Sequence, residues 1–137
     1  MIKYKLDPGA HTPERAHKTD AGWDLRTPKR VEIFAKDFET IDTGVHVQIP
    51  EGCVGYIMSK SGLNMKDDLI TTGVIDCGYT GSIRVKLYNL GNKRKVFEKG
   101  DKIAQLVIQQ IITAGMEQVE ELEETERGSN GFGSSGR

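Results

Sequence analysis

Gly73-Val74-Ile75-Asp76-Cys77-Gly78-Tyr79-Thr80-Gly81 is the stretch around which the chain is organised. Leu69-Ile70-Thr71-Thr72 precede it and the alternating run Ser82-Ile83-Arg84-Val85-Lys86-Leu87 follows it, so strand leads into turn and turn into strand. The pattern predicts a hairpin that presents one acid. Asp76 comes after two apolar β-branched residues and before Gly78 and Gly81, which let a backbone approach a ligand with no side chain in the way. An aspartate in that place either caps the turn through its own backbone or does chemistry.

The rest of the composition fits a setting of short strands. A chain of 137 residues suffices for one domain with a core. Apolar residues make up 36% of it and glycines number 16, which suits strands and turns better than a helical bundle. The prediction is an all-β fold with a thin core, completed by association into an oligomer. The net charge of −1, with signs mixed along the chain, supplies no basic field for a nucleic acid polymer. Cys53 and Cys77 stand far apart and the chain opens on Met1-Ile2-Lys3-Tyr4 without a leader-like apolar stretch, so a reduced, cytoplasmic protein is expected. No run approaches the roughly 20 apolar residues of a membrane span, and no membrane association is expected.

Upstream, Ile2, Tyr4 and Leu6 alternate with Lys3 and Lys5 as a half-buried first strand, and residues 11–20 read as a polar surface loop. Asp20-Ala21-Gly22-Trp23-Asp24-Leu25 runs into a strand whose period of two puts Trp23 and Leu25 on the packed side and turns Asp24 away from it. Residues 31–34, 38–41 and 45–49 are further short strands, with His46 outward as a solvated residue. The buried strand at 53–58 stops in Ser59-Lys60-Ser61-Gly62-Leu63. Small hydroxyl residues, a lysine and a glycine at a helix start make either an anion site or an ordinary N-cap, and both readings place a helical turn near 64–68.

Downstream, residues 103–112 form the longest apolar segment, and Gln105 within it reads locally as a sheet-face residue. The acidic stretch 119–126 leads to Arg127-Gly128-Ser129-Asn130-Gly131-Phe132-Gly133-Ser134-Ser135-Gly136-Arg137. By composition this is a flexible end. It also holds what a lid needs: glycine hinges, a phenylalanine to stack on a flat base, and an arginine and hydroxyls for phosphates.

The central nine residues resemble the third of five ordered motifs in the trimeric deoxyuridine triphosphate nucleotidohydrolases (dUTPases). Ala21-Gly22-Trp23-Asp24-Leu25 is similar to the first motif, Ser59-Lys60-Ser61-Gly62-Leu63 to the second (usually Pro-Arg-Ser-Gly-Leu), Gly100-Asp101-Lys102-Ile103-Ala104-Gln105-Leu106 to the fourth, and residues 127–136 to the fifth. Five motifs in order cover the chain from Asp20 to Gly136.

That resemblance implies a small jelly-roll-like β-barrel over residues 1–126 with at most one short helix, and a glycine-rich C-terminal arm over 127–137 that closes over a site. It implies a homotrimer with sites between subunits, and hydrolysis of dUTP to dUMP and pyrophosphate with Mg2+. Such an activity limits uracil incorporation into DNA and supplies dUMP for dTMP synthesis. Asp76 would be the general base, and Asp24 would hold the metal through water. Lys60, Ser61, Gly62, Gln105, Arg127, Gly133, Ser134 and Ser135 would hold the phosphates. Gly73, Val74 and Ile75 would read uracil through their backbone, Tyr79 would underlie the deoxyribose, and Phe132 would cover the base. Lys60 keeps the charge of the family's arginine but not its two-pronged geometry. The related deoxycytidine triphosphate deaminases need a glutamate after the hairpin acid, where this chain has Ser82 and Arg84.

Overall fold

The computed structural model describes residues 1–131 and 136. The short alternating runs become strands β1 (Lys3–Leu6), β2 (Gly22–Arg26), β3 (Val31–Ile33), β4 (Phe38–Asp42), β5 (Val45–Gln48) and β6 (Cys53–Met58). After helix α1 (Ser61–Asp67) come β7 (Leu69–Ile70), β8 (Thr72–Ile75), β9 (Arg84–Asn89), β10 (Lys95–Phe97) and β11 (Lys102–Gln110). Neighbours are antiparallel throughout, in a four-stranded sheet β2-β11-β6-β8, a three-stranded sheet β4-β9-β7, and the pairs β1-β5 and β10-β3. The all-β, jelly-roll-like fold agrees with the sequence. The sheets enclose one core without joining into a continuous hydrogen-bonded barrel among the described residues.

β9 shows why these residues form strands. Val85, Leu87 and Asn89 point inward while Arg84, Lys86 and Tyr88 remain exposed, the period of two written in the sequence. Leu25, Ile33, Ile41, Leu69 and Ile103 from other strands meet them in the core. β1 is less buried than its alternation suggests, with Tyr4 half exposed, and Phe34 and Phe38 also face outward. Among the described residues no helix is long and apolar enough to cross a membrane.

The predicted hairpin is only half formed. Its base is paired, Leu69 facing Asn89 and Ile70 facing Tyr88, but past Thr71 the chain leaves β9. β8 pairs instead with β6, Thr72 facing Met58 and Ile75 facing Gly55, and so becomes the edge of the four-stranded sheet. The Asp76 turn therefore bridges two sheets. Local sequence specifies strand, turn and strand, but which strand accepts the ladder is settled by packing far away in the chain.

Asn89 is the polar member of β9's inward row. Its amide donates to the carbonyls of Ile33 (3.1 Å) and Lys93 (2.8 Å), while its oxygen accepts from Gly91 N–H (3.0 Å). One side chain thus joins β9, the end of β3 and the turn before β10. Asn89→Ala strands three backbone groups, so urea unfolding should show a loss of about 2–4 kcal/mol, against less than about 1 kcal/mol for Lys86→Ala on the outward row.

Candidate active site

Two groups of sequence-selected residues occur on one chain, at opposite ends of the four-stranded sheet. The first gathers around Asp24. β2 is covered on both faces, so Asp24 is buried at 6% exposure instead of turning to solvent. Lys60 ion-pairs with one carboxylate oxygen and Lys102 Nζ lies 2.6 Å from the other. Burial by itself raises the Asp24 pKa, but hydrogen bonds from Lys102 and Lys60, reinforced by their charges, outweigh it and hold the carboxyl below its ordinary value. The cluster carries one net positive charge.

β11 also brings in Gln105, opposite Asp24 on β2 and Met58 on β6. Its amide donates to the Ser59 carbonyl at 3.0 Å, so Gln105 is more than a sheet-face residue: it ties β11 to the segment that carries Lys60. Gly22 makes room for it, since a Cβ there would come within 2.7 Å of Gln105 Oε1.

Helix α1 starts three residues earlier than the sequence pattern indicates. Lys60 is the N-cap, in extended conformation, and no side chain caps the first turn, so Ser61 and Gly62 begin the helix with outward N–H groups. The ordinary capping role available to Ser59 is not taken. Its hydroxyl instead donates to the Thr71 carbonyl (3.1 Å) and accepts from Thr71 N–H (2.9 Å).

The second group is the turn after β8. Tyr79 N–H reaches the Asp76 carbonyl at 3.2 Å, and Gly78, at φ +90°, supplies the left-handed residue that the turn requires. Asp76 is exposed. The Tyr79 ring lies over Gly81, where any side chain would collide with it, and its hydroxyl donates to the Ser82 carbonyl at 3.0 Å. Val74, Ile75, Asp76, Tyr79, Ser82 and Arg84 line a concavity of about 260 Å³. Gly73 to Ile75 lie in edge strand β8, whose far side carries no ladder among the described residues.

The two groups do not meet. Ile75 faces Gly55, and Lys60 follows five residues later along extended chain, a rise of about 16 Å. Arg127 lies elsewhere, in an exposed turn where its Nε donates to the Asn130 carbonyl at 3.0 Å. Phe132, Gly133, Ser134 and Ser135 fall outside the described residues. Lys102 at the cluster and the Ser59–Thr71 pairing were not legible beforehand, because neither leaves a local spacing signal.

For a metal ion the donor set is sparse: among the described residues no group of three or more His, Cys, Asp or Glu side chains could hold one. A single ionised carboxylate with phosphates and retained waters is, however, the kind of environment magnesium accepts. Asp24 is the carboxylate that the cluster offers, with both of its oxygens engaged by lysines, so a water-bridged metal would have to share it with them.

Fold and side chains together describe a small antiparallel β protein with two lysines gathered on a buried aspartate and, apart from them, a glycine-framed acid beside an open strand edge. Residues 9–136 match the family model described as dUTPase. The deoxyuridine 5'-triphosphate nucleotidohydrolase of Nocardia farcinica is 42% identical over 136 residues, covering 96% of this chain and 82% of that one. The protein of the same name from Paramecium bursaria Chlorella virus 1 is 39% identical, covering 99% and 97%. Among solved structures, a mutant of the Staphylococcus bacteriophage 80alpha dUTPase with dUpNHpp has a TM-score of 0.93 at 36% identity, over 100% of this chain and 99% of that one. A mutant dUTPase from phage phi11 of S. aureus, described with a structural Mg(II) ion, has a TM-score of 0.84 at 34% identity, over 90% and 99%. The chain belongs to the dUTPase family.

The electrostatics of Asp24 give a pH prediction. A carboxyl whose folded pKa is depressed contributes stability that is present above its ordinary value, near 3.8, and is lost as pH falls through the folded value. Urea midpoints of the wild type should therefore drop below about pH 4 more steeply than those of Asp24→Asn, which lacks this contribution. Parallel curves would show that Asp24 is not held ionised by its two lysines.

Proposed function

We propose that the protein hydrolyses dUTP to dUMP and pyrophosphate, with Asp76 as general base, in sites built between the subunits of a homotrimer. The observation that carries this reading is the placement of Asp76 and Tyr79 directly after the edge of β8. A pyrimidine can pair with the open N–H and C=O groups of Gly73, Val74 and Ile75, which leaves the sugar beside Tyr79 and the first phosphate near Asp76. A ring under the deoxyribose leaves no space for a 2′-hydroxyl. Membership of the dUTPase family selects uracil as the base.

In the reaction Asp76 accepts a proton from water as its oxygen attacks the α-phosphorus. The bond from that phosphorus to the bridging oxygen breaks, and pyrophosphate leaves with the electron pair. General-base assistance of this kind contributes roughly 10² to 10⁴ in rate. The remainder comes from positioning and charge, as in other phosphoryl transfers. Lys60 and Lys102 supply positive charge, Ser61 and Gly62 offer N–H groups at the start of α1, and Gln105 holds their segment in place. Mg2+, when bound, neutralises phosphate charge and would be held by Asp24 through water. Arg127, Phe132, Gly133, Ser134 and Ser135 are proposed to close over the nucleotide as an arm, distinct from the β domain of residues 1–126. Removal of dUTP limits uracil incorporation into DNA, and the dUMP formed supplies dTMP synthesis. Both cysteines are free thiols, in keeping with a reduced, cytoplasmic setting.

The distance of about 16 Å between the β8 end and Lys60 supports shared sites, because one α-phosphorus cannot serve both groups of a single chain. Pyrophosphate release from dUTP, UTP, dCTP and dTTP side by side with magnesium tests the activity, and absence of release from dUTP would overturn it. Asp76→Asn should lower kcat by about 10² or more with dUTP binding retained, since the change keeps shape and removes the base. Tyr79→Ala should gain on UTP relative to dUTP; an unchanged ratio would return Tyr79 to turn packing.

The arrangement of chains can be read by mixing. One variant lacks residues 127–137 and the other carries Asp76→Asn, and each alone should be nearly inactive. Refolded together one to one, roughly a quarter of sites regain an intact acid and an intact arm if these come from different chains. No recovery, with mixed trimers confirmed by mass, would assign both to one chain.

A further inference from the structure

The segment bearing Asp76 and Tyr79 is tied to the body of the protein at Thr80, and the tie is His46. On β5, His46 Nδ1 lies 2.8 Å from the Thr80 carbonyl oxygen and Nε2 lies 3.0 Å from Asp7 Oδ2 at the end of β1. Neither an amide carbonyl nor an ionised carboxylate has a proton to give. A neutral imidazole has one N–H and can satisfy only one of these partners, setting lone pair against lone pair at the other. The imidazolium satisfies both.

We propose that His46 is a positioning residue for the reacting turn, and that its protonation state decides how firmly Thr80, and with it Asp76 and Tyr79, is held. The surroundings favour the charged form. The hydrogen bond to Asp7 does most to raise the His46 pKa above its ordinary value, followed by the Thr80 contact; partial burial and Lys5 oppose them. Lys3 and Lys5 face the ring from β1, and Asp42, itself paired with Arg84, faces it from β4. A histidine raised in this way contributes stability that is complete below its ordinary value and is lost as pH rises through the folded value. The remaining proton goes to the stronger, charged acceptor, Asp7, so the contact released is the one to Thr80.

Release does not unfold the turn. Its far end stays attached through the Tyr79 hydroxyl on Ser82, the Ser82 hydroxyl on Asp42, and Thr43, whose N–H and hydroxyl reach the Ile83 carbonyl at 3.0 and 2.7 Å. The expected consequence is thus a modest loss of alignment at Asp76.

The activity part of the test rests on the proposed function, and the spectroscopic part does not. kcat and KM are measured for wild type, His46→Asn and His46→Ala from about pH 6 to about pH 9. Asparagine keeps a neutral donor near the Nδ1 position and cannot titrate in this range. The wild-type to His46→Asn ratio of kcat cancels titration of the nucleotide and of Asp76. It should fall by about 3- to 10-fold with rising pH, the weight of one hydrogen bond, and His46→Ala should lie below His46→Asn throughout. In proton NMR of the wild type, the His46 ring should titrate with a midpoint above about 6.5, and the Thr80 amide should follow the same midpoint. A flat ratio, or a ring midpoint at or below the ordinary value, overturns the proposal. If Asp76→Asn stays fully active while ring and Thr80 titrate together, the tie stands and the assignment of the base falls.

Discussion

The arrangement of the whole site depends on how the chain passes Thr71. Within two residues it leaves the ladder with β9 and joins the ladder with β6, a change that threatens to bury Thr71's backbone N–H and C=O with no strand on either side. Thr71 is 3% exposed, so water cannot readily take their place. The Ser59 hydroxyl serves as both partners at once, accepting from one group and donating to the other. An unmatched buried polar group costs about 1–3 kcal/mol, so in this chain the single hydroxyl stabilises the change of sheet. The position is usually proline in the family pattern, and a proline could not make this pairing. The same pairing ties the Lys60 segment to the start of β8.

The open edge at the β8 end follows from that change of sheet. A fully paired hairpin would have used the outer hydrogen-bonding edge of β8 in its own ladder. With β8 on the rim of the four-stranded sheet, Gly73 to Ile75 keep a free edge beside the acid. Open edges invite pairing with other chains. Here the edge is short, four residues, and ends at once in a glycine-rich turn, so it is suited to a small planar ligand more than to a long strand.

The sequence revealed the parts whose cause is local. Gly78 had to be glycine for its positive φ, Gly81 for the Tyr79 ring, and the inward row of β9 repeats with a period of two. What stayed hidden depends on distant contacts. Asp24 looked solvent-facing because period two separates it from Trp23 and Leu25, but a strand covered on both faces has no solvent side, and its covering lysines come from 36 residues downstream in one case. His46 looked like a solvated strand residue for the same reason. Its partners, Asp7 and Thr80, lie 39 residues before it and 34 after. No window of local periodicity spans such separations. The half-open hairpin is likewise beyond local sequence, because the competitor for β8 is β6 and not a neighbour in the chain.

The two halves of the site also differ in what fixes them, and this bears on why they are divided. The Asp24 cluster sits at one end of the four-stranded sheet, where a buried carboxylate is held by two half-exposed lysines and the adjoining strands. The acid-bearing turn is exposed, running from the β8 ladder to a few side-chain and backbone hydrogen bonds at Thr80, Ser82 and Ile83. A rigid cationic seat suits phosphates, whose charge is present from the start of the reaction. On the proposed reading, a lighter mounting suits Asp76, which would approach water only once the nucleotide is in place. Placing the two about 16 Å apart along each chain keeps the Asp76 carboxylate from collapsing onto the lysines of its own chain, and on the proposed reading it leaves that carboxylate for a nucleotide seated by a second chain.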